Sequence, residues 1–421
     1  MLVECMQCAG LPSGAPEQWS SEAPTDLPGW WELFFWRAGR MPKGQSAHWR
    51  VGVLFSTTGV TAAVERTQRA ATLLAIDQIN AAGGVLGRSI EPIVHDPGSQ
   101  PRRYRELAER LCDVDGVTVI FGGYMSSTRK AMLPVVEAHR ALLFYPTLYE
   151  GFEYSPHCVY TGAAPNQNSV QLVRYLARHY GKRVFLVGSD YVYPYESNRI
   201  IADLFRQSGG KVLDEMYVPL RVADIDMGKV LRRIQAARPD VVYSTVVGDG
   251  IARFYEAYRD AGFDTRTHPI ASQSTQEAEV AQMAPGVAEG CITAAPYFST
   301  LQSEANLRFV EAYRARYGAD MPITACTEAA YFQVYLYAQS LARSGGDRMN
   351  QLLPHLHQHA FDAPQGAVRI DGDNHHTYLW PRVARVDAQG LFQVVDDPGL
   401  QVKPDPYMID NRLDPLERRL A

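Results

Sequence analysis

Aromatic and hydroxyl side chains stand at the ends of three apolar runs in this chain. Val117 to Phe121 leads into Gly122-Gly123-Tyr124-Met125-Ser126-Ser127-Thr128-Arg129-Lys130, and Ala141 to Tyr145 leads into Pro146-Thr147-Leu148-Tyr149-Glu150-Gly151. Val187 leads into Gly188-Ser189-Asp190-Tyr191-Val192-Tyr193-Pro194. Open α/β sheets place their ligand crevice at the carboxyl ends of strands. Glycines there let the backbone turn closely, and Ser126 or Ser127 can cap a following helix and aim free N–H groups at a ligand carbonyl. The plainer alternatives are an ordinary N-cap for the serines and core packing for any single tyrosine. Tyrosines at three strand ends together point to a shared binding pocket.

Motifs for catalysis or metal binding are missing. The sequence has no G-x-S-x-G, no G-K-[ST] phosphate loop, no H-E-x-x-H and no EF-hand loop, so the expectation is a protein that binds without catalysing and carries no cofactor. Gly83-Gly84-Val85-Leu86-Gly87 follows a helical stretch instead of a strand and reads as a helix stop, not a dinucleotide cradle. His355 and His359 would share a helix face as a metal pair, but no third ligand is near in sequence and a solvated helix is the plainer reading. Asn374-His375-His376 reads as surface polarity in a hairpin, and the lone Cys5-x-x-Cys8 as chance.

The elements that position the strand ends alternate in an α/β pattern. Strands are predicted at 49–55, 90–96, 117–121 and 141–145, with helices at 64–82, 102–113 and 127–138, which makes one doubly wound half. A second series follows Pro165, with strands at 183–187, 211–218, 240–246 and 268–271 and helices at 166–180, 196–209, 227–237 and 250–262. Beyond it lie a strand at 291–295, helices at 302–317 and 326–344, and a β-rich stretch at 366–395. The expected division is lobe 1 from 49–162 plus 291–345, lobe 2 from 163–290 plus 346–405, and a tail from 406–421.

The length of 421 residues suits two or three such units, and 46% hydrophobic with 21% charged residues is an ordinary globular composition. A formal charge of -5 argues against direct nucleic-acid binding, which needs a basic face. Residues 1–48 read as a disordered leader, with Met41 as an alternative start. Their one apolar run, Leu27 to Trp36, is broken by Pro28 and Glu32, so neither a signal peptide nor a membrane span is expected and the cytoplasm is the expected location.

Several segments carry a resemblance. Residues 81–88 (AAGGVLGR), the runs beginning at Tyr124, Tyr145 and Tyr149, Ala164-Pro165-Asn166-Gln167-Asn168-Ser169 and Gly188-Ser189-Asp190-Tyr191 resemble the type I periplasmic-binding-protein fold from about Val51 to Asp405. Within it they are similar to the branch of amide-sensing amidase-operon regulators and of urea and short-chain-amide transporter receptors. Lys403-Pro404-Asp405-Pro406-Tyr407 leans toward the regulators. The resemblance implies two doubly wound parallel-sheet lobes joined by three crossovers, closing on a ligand. It also implies a pocket of Tyr124, Ser126, Tyr145 and Thr147 from the first lobe with Tyr191, Tyr193 and Val247 from the second. Hydroxyls that both donate and accept suit a small amide or urea. The implied partner is an RNA-binding antitermination protein, sequestered until an amide binds, and the alternative is the receptor of a urea or amide transporter; a homo-oligomer stays open. Asp249 departs from the pattern, and either faces the cleft as a specificity residue or caps the next helix.

Overall fold

The computed structural model describes residues 48–220 and 227–409. The expected leader up to residue 47, the Cys5/Cys8 pair and the tail beyond 409 lie outside the described residues.

The first sheet has the order β2-β1-β3-β4-β5, built from β1 (His48–Leu54), β2 (Ser89–His95), β3 (Val119–Gly122), β4 (Leu142–Tyr145) and β5 (Cys158–Tyr160), all parallel. Every residue of β3, β4 and β5 is buried, which is why they read as unbroken apolar runs: helices cover both faces of a parallel sheet. Those helices are α1 (Ala62–Ala81), α2 (Pro101–Asp113) and α3 (Ser126–Ala138). The second lobe contributes β6 (Arg183–Ser189), β7 (Lys211–Val218), β8 (Val241–Thr245), β9 (Ile270–Ser272) and β10 (Ile292–Ala295). Its helices are α4 (Ser169–His179), α5 (Val192–Gln207), α6 (Met227–Ala237), α7 (Gly250–Asp260) and the single turn α8 (Glu277–Val280).

The chain then recrosses to the first lobe as α9 (Glu304–Tyr317), α10 (Ala325–Ser344) and α11 (Met349–Leu356), followed by a small sheet of β11 (Ala360–Ala363), β12 (Gly366–Ile370) and β13 (Thr377–Tyr378). It crosses back once more as β14 (Arg382–Val386) and β15 (Phe392–Asp396), giving a second sheet of order β15-β14-β10-β9-β8-β6-β7. Three crossovers, after β5, β10 and β13, therefore join two α/β lobes. The pairs β10–β14 and β14–β15 are antiparallel, so the second sheet is parallel only up to β10. α10 is buried on all sides from Ala325 through Leu341, polar Glu328 and Gln333 included. Its start is fixed by Thr324, whose hydroxyl accepts the Thr327 N–H at 3.1 Å.

Four local expectations are corrected. β10 was placed with the first lobe but pairs with β9 and β14 in the second sheet; an apolar run of this length carries no mark of which sheet it joins. Residues 346–378 stay with the first lobe: α11 leads into β11–β13, and this sheet is tied to β5 by the Tyr160–His376 bridge. α11 ends at Leu356, so His359 lies beyond it and shares no helix face with His355. His375 and His376 are not surface polarity but buried, with His376 stacked on Tyr160 at 4.1 Å between ring centroids. The sheet laid against β5 covers them.

Candidate functional site

In the first lobe the expected residues converge at the ends of β3 and β4. Gly123, at φ +90°, turns the chain out of β3; a Cβ there would sit 2.9 Å from the Met132 Cε. The Tyr145 hydroxyl donates to the Tyr124 carbonyl. The Thr147 hydroxyl donates to the Gly123 carbonyl at 3.2 Å and accepts from the Gln68 amide at 3.0 Å. Ser126, the first residue of α3, donates its hydroxyl proton to Glu150. Glu150 in turn pairs with Arg129 at 3.2 Å, and Arg129 also binds Glu153 at 2.6 Å. Arg129 has no solvent exposure, and Tyr145 and Tyr149 lie beneath its guanidinium at 4.9 and 4.5 Å. Burial alone would lower its pKa, but Tyr145, Glu150 and Glu153 outweigh it and hold the cation above its ordinary range.

In the second lobe Tyr191 precedes α5 and Tyr193 sits in its first turn, with ring centroids 6.3 Å apart. Tyr193 is 5% exposed and its hydroxyl is a buried polar group with no hydrogen-bond partner. The neighbouring Ser197 hydroxyl bonds Tyr243 at 3.0 Å and makes no hydrogen bond of normal geometry with Tyr193. Val247 is buried, its N–H held by the Ser189 hydroxyl at 3.1 Å. Asp249 does not take the capping role: it is exposed, and at the start of α7 its side chain makes no capping bond. Its φ of -60° and ψ of -17° are already helical, whereas a capping residue has extended backbone.

The lobes meet across these residues. Tyr191 lies in the electrostatic neighbourhood of Tyr145, Glu150 and Arg129, and Tyr124 in that of Tyr191, Tyr193 and Glu279. Val64, Tyr124, Met125, Ala278 and Cys326 form one apolar cluster drawn from both lobes, with Val60, Leu148 and Tyr191 against it. Gly248, at φ +64°, abuts the Val60 carbonyl, which an added Cβ would approach to 2.6 Å. Gln276 bridges the lobes at the foot of α10: its carbonyl oxygen accepts the Ala325 N–H at 3.1 Å and its amide reaches the Cys326 sulfur at 3.8 Å. A cavity of about 10 Å³ between Pro146, Asn168, Gln276 and Cys326, room for one water-sized sphere, marks how closely the lobes fit at this end.

Burial pushes the Tyr124 and Tyr193 hydroxyls above the ordinary tyrosine range, so both present O–H groups near neutrality. Burial also pushes the Glu279 carboxyl up to about 8, against the stabilising Gln276 N–H that it accepts. The Cys326 thiol is pushed up to about 12, which removes it as a nucleophile. Among the described residues no group of three or more His, Cys, Asp or Glu converges as a metal site, and no helix is long and apolar enough to cross a membrane. The arrangement brings hydroxyls and aromatic rings from both lobes together at one junction.

Sequence reading missed Gln68, Arg129, Glu150, Gln276, Glu279 and Cys326. For Gln276 and Glu279 a signal existed, the three-residue spacing of a capping box, of which the structure forms the Glu279 half, its carboxylate accepting the Gln276 N–H at 2.9 Å. Arg129 and Glu150 stood inside the quoted motifs, but nothing local announced that they pair across 21 residues.

Residues 49–412 match the family described as Periplasmic binding protein domain. The Leucine-, isoleucine-, valine-, threonine-, and alanine-binding protein of Pseudomonas aeruginosa is 22% identical over 326 residues, 76% of this chain and 85% of that protein. The Leu/Ile/Val-binding protein homolog 6 of Brucella suis is 23% identical, over 75% of this chain and 84% of its own length. Among solved structures, a solute-binding protein of an ABC transporter from Rhodopseudomonas palustris, in complex with 3,4-dihydroxybenzoic acid, superposes with a TM-score of 0.75 at 22% identity, covering 84% of this chain and 99% of that one. The branched-chain amino acid transporter substrate-binding protein LivJ from Streptococcus pneumoniae, in complex with isoleucine, gives 0.73 at 20% identity, covering 84% and 99%. With two α/β lobes, three crossovers and a polar site where they meet, this chain belongs to the periplasmic binding protein family.

Proposed function

We propose that the protein is a solute-binding protein of the transporter-receptor kind, whose cleft takes a small uncharged amide or urea. The observation that carries this reading is the buried, unpartnered Tyr193 hydroxyl where the lobes meet, a donor whose isolation costs about 1–3 kcal/mol until a ligand acceptor reaches it. The relatives above are named for binding amino acids, and two neighbours hold isoleucine or an aromatic acid. Arg129, the buried cation beside this site, is already paired with Glu150 and Glu153 and is not free to neutralise a carboxylate ligand. A neutral ligand needs no such cation.

A thermal-shift and calorimetry panel of acetamide, propionamide, butyramide, urea, leucine and 4-hydroxybenzoate tests this. At a hundred times Kd a true ligand adds about 2.7 kcal/mol of stability, so the shift is plain. Binding of amides or urea supports the reading, and binding of leucine or the aromatic acid alone refutes it.

A second reading is a cytoplasmic amide sensor that sequesters an RNA-binding antitermination protein and releases it when an amide binds. The segment Lys403 to Tyr407 favours it. That segment is strapped over the first crossover, with the Lys403 carbonyl accepting from the Asn166 amide at 2.8 Å and the Pro406 carbonyl from the Phe152 N–H at 2.8 Å. Fractionation of the native gene product, with recovery of bound protein in the presence and absence of acetamide, separates the two: a cytoplasmic protein that sheds a partner on adding acetamide is the sensor.

A further inference from the structure

A serine or tyrosine hydroxyl can face a ligand as donor or as acceptor, and what lies behind it decides which. Behind Ser126 stands Glu150, a carboxylate that only accepts, so the Ser126 proton points at Glu150 and, with Arg129 donating to one Ser126 lone pair, the other is left as an acceptor. Arg129 donates to the Ser126 oxygen from 3.4 Å and to Glu150 from 3.2 Å, which holds the carboxylate in place. Tyr145 is likewise oriented, its proton committed to the Tyr124 carbonyl. Across the junction the Tyr193 O–H has no acceptor. Met125, beside Ser126 at the start of α3, sits in an apolar cluster against which Tyr191 of the second lobe packs, which places this oriented group next to the face where the lobes meet.

We infer that Glu150 is a positioning residue that sets the hydrogen-bond polarity of the cleft, acceptors on the first lobe and a donor on the second. Such a site selects solutes that carry N–H groups on one side and a carbonyl on the other. It discriminates an amide from its methyl ester, which is larger by one methyl group and has no N–H to offer Ser126. This deepens the amide reading above and rests on it.

The test measures acetamide and methyl acetate binding by calorimetry to the full chain and to Ser126→Ala, Ser126→Thr and Glu150→Gln variants. The wild type is expected to prefer acetamide. Ser126→Ala, which leaves the Arg129–Glu150–Glu153 pairing intact, is expected to weaken acetamide about tenfold, the worth of one hydrogen bond, and to leave methyl acetate unchanged. Ser126→Thr should restore the preference. In Glu150→Gln the new amide can donate to Ser126 and reverse its hydroxyl, so the acetamide preference should collapse while ester binding holds or improves. If that variant fails to fold, the Ser126 pair decides alone. Equal weakening of both probes, or an unchanged ratio in a wild type that does bind acetamide, overturns this inference and leaves the amide reading standing. A wild type that ignores acetamide and urea overturns both.

Discussion

Gly248→Ala should block the lobes from meeting without dismantling either. The new Cβ would lie 2.6 Å from the Val60 carbonyl oxygen and 3.5 Å from the Val60 Cβ, on the opposite lobe. Real Cβ atoms do not approach backbone oxygen that closely, so the lobes must part locally. Overpacking of this kind costs about 1–3 kcal/mol, and here it falls on the closed arrangement alone. A second cost, about 1–2 kcal/mol for a side chain at φ +64°, is paid in every state of the folded chain and cancels from binding. A ligand that binds the closed form better then loses affinity by the first amount only, roughly five- to 150-fold. Gly262→Ala is the control: its φ is +82° and nothing lies within 4 Å of the added Cβ, so it carries the backbone cost without the clash. Calorimetry with whichever probe the panel identifies, alongside melting temperatures, reads both quantities. Both variants should melt lower than the wild type, and only Gly248→Ala should bind more weakly. Equal affinities in the two variants would refute the claim that ligand binding requires this contact.

Further outcomes follow from the same physics. Tyr193→Phe removes a buried hydroxyl that has no partner, so the ligand-free protein should gain up to about 1–3 kcal/mol while losing ligand affinity; a lower melting temperature without ligand would contradict the assignment. Arg129→Leu leaves Glu150 and Glu153 without their buried cation and should destabilise by about 3–5 kcal/mol in denaturant titration. Stability should also change with pH in two opposite senses. Burial raises Glu65 to about 7 and Glu279 and Glu328 to about 8, so the folded chain keeps protons that the unfolded chain has released, and stability falls as pH rises from about 4.5 to about 8. Burial lowers His375 to about 4 and His376 to about 3, so the unfolded chain takes up protons first, and stability is lost as pH falls from about 6.5. Between pH 6.5 and 8 only the glutamates act, and melting temperature should fall; Glu328→Gln should flatten that slope, and a steady rise over the interval would sink the account.

Much of the fold was legible because buried parallel strands advertise themselves. β1, β3, β4, β6 and β8 are apolar or β-branched runs, and the helices between them end at glycines such as Gly83 and Gly209, both at positive φ. β5 escaped notice because Cys158-Val159-Tyr160 is too short to show alternation or a run. The assignment of β10 and of residues 346–378 to lobes depends on which edge is open to receive them, which no local pattern encodes. The same limit hid the histidines. His357 and His375 lie 4.9 Å apart between ring centroids, but they are separated in sequence by a turn and two strands of another sheet.

The sequence by itself determined the class of architecture and the residue types at the strand ends, since periodicity, glycine stops and the position of hydroxyl and aromatic residues are local properties. The tertiary structure alone decided how those hydroxyls are used. Ser126 and Tyr145 are committed as donors within their own lobe, Tyr193 is left with its proton free, and Asp249 is turned to solvent. A hydroxyl carries both a proton and lone pairs, so its role is set by the partner that folding brings to it. Here that partner is Glu150, the Tyr124 carbonyl, or a ligand from outside the chain.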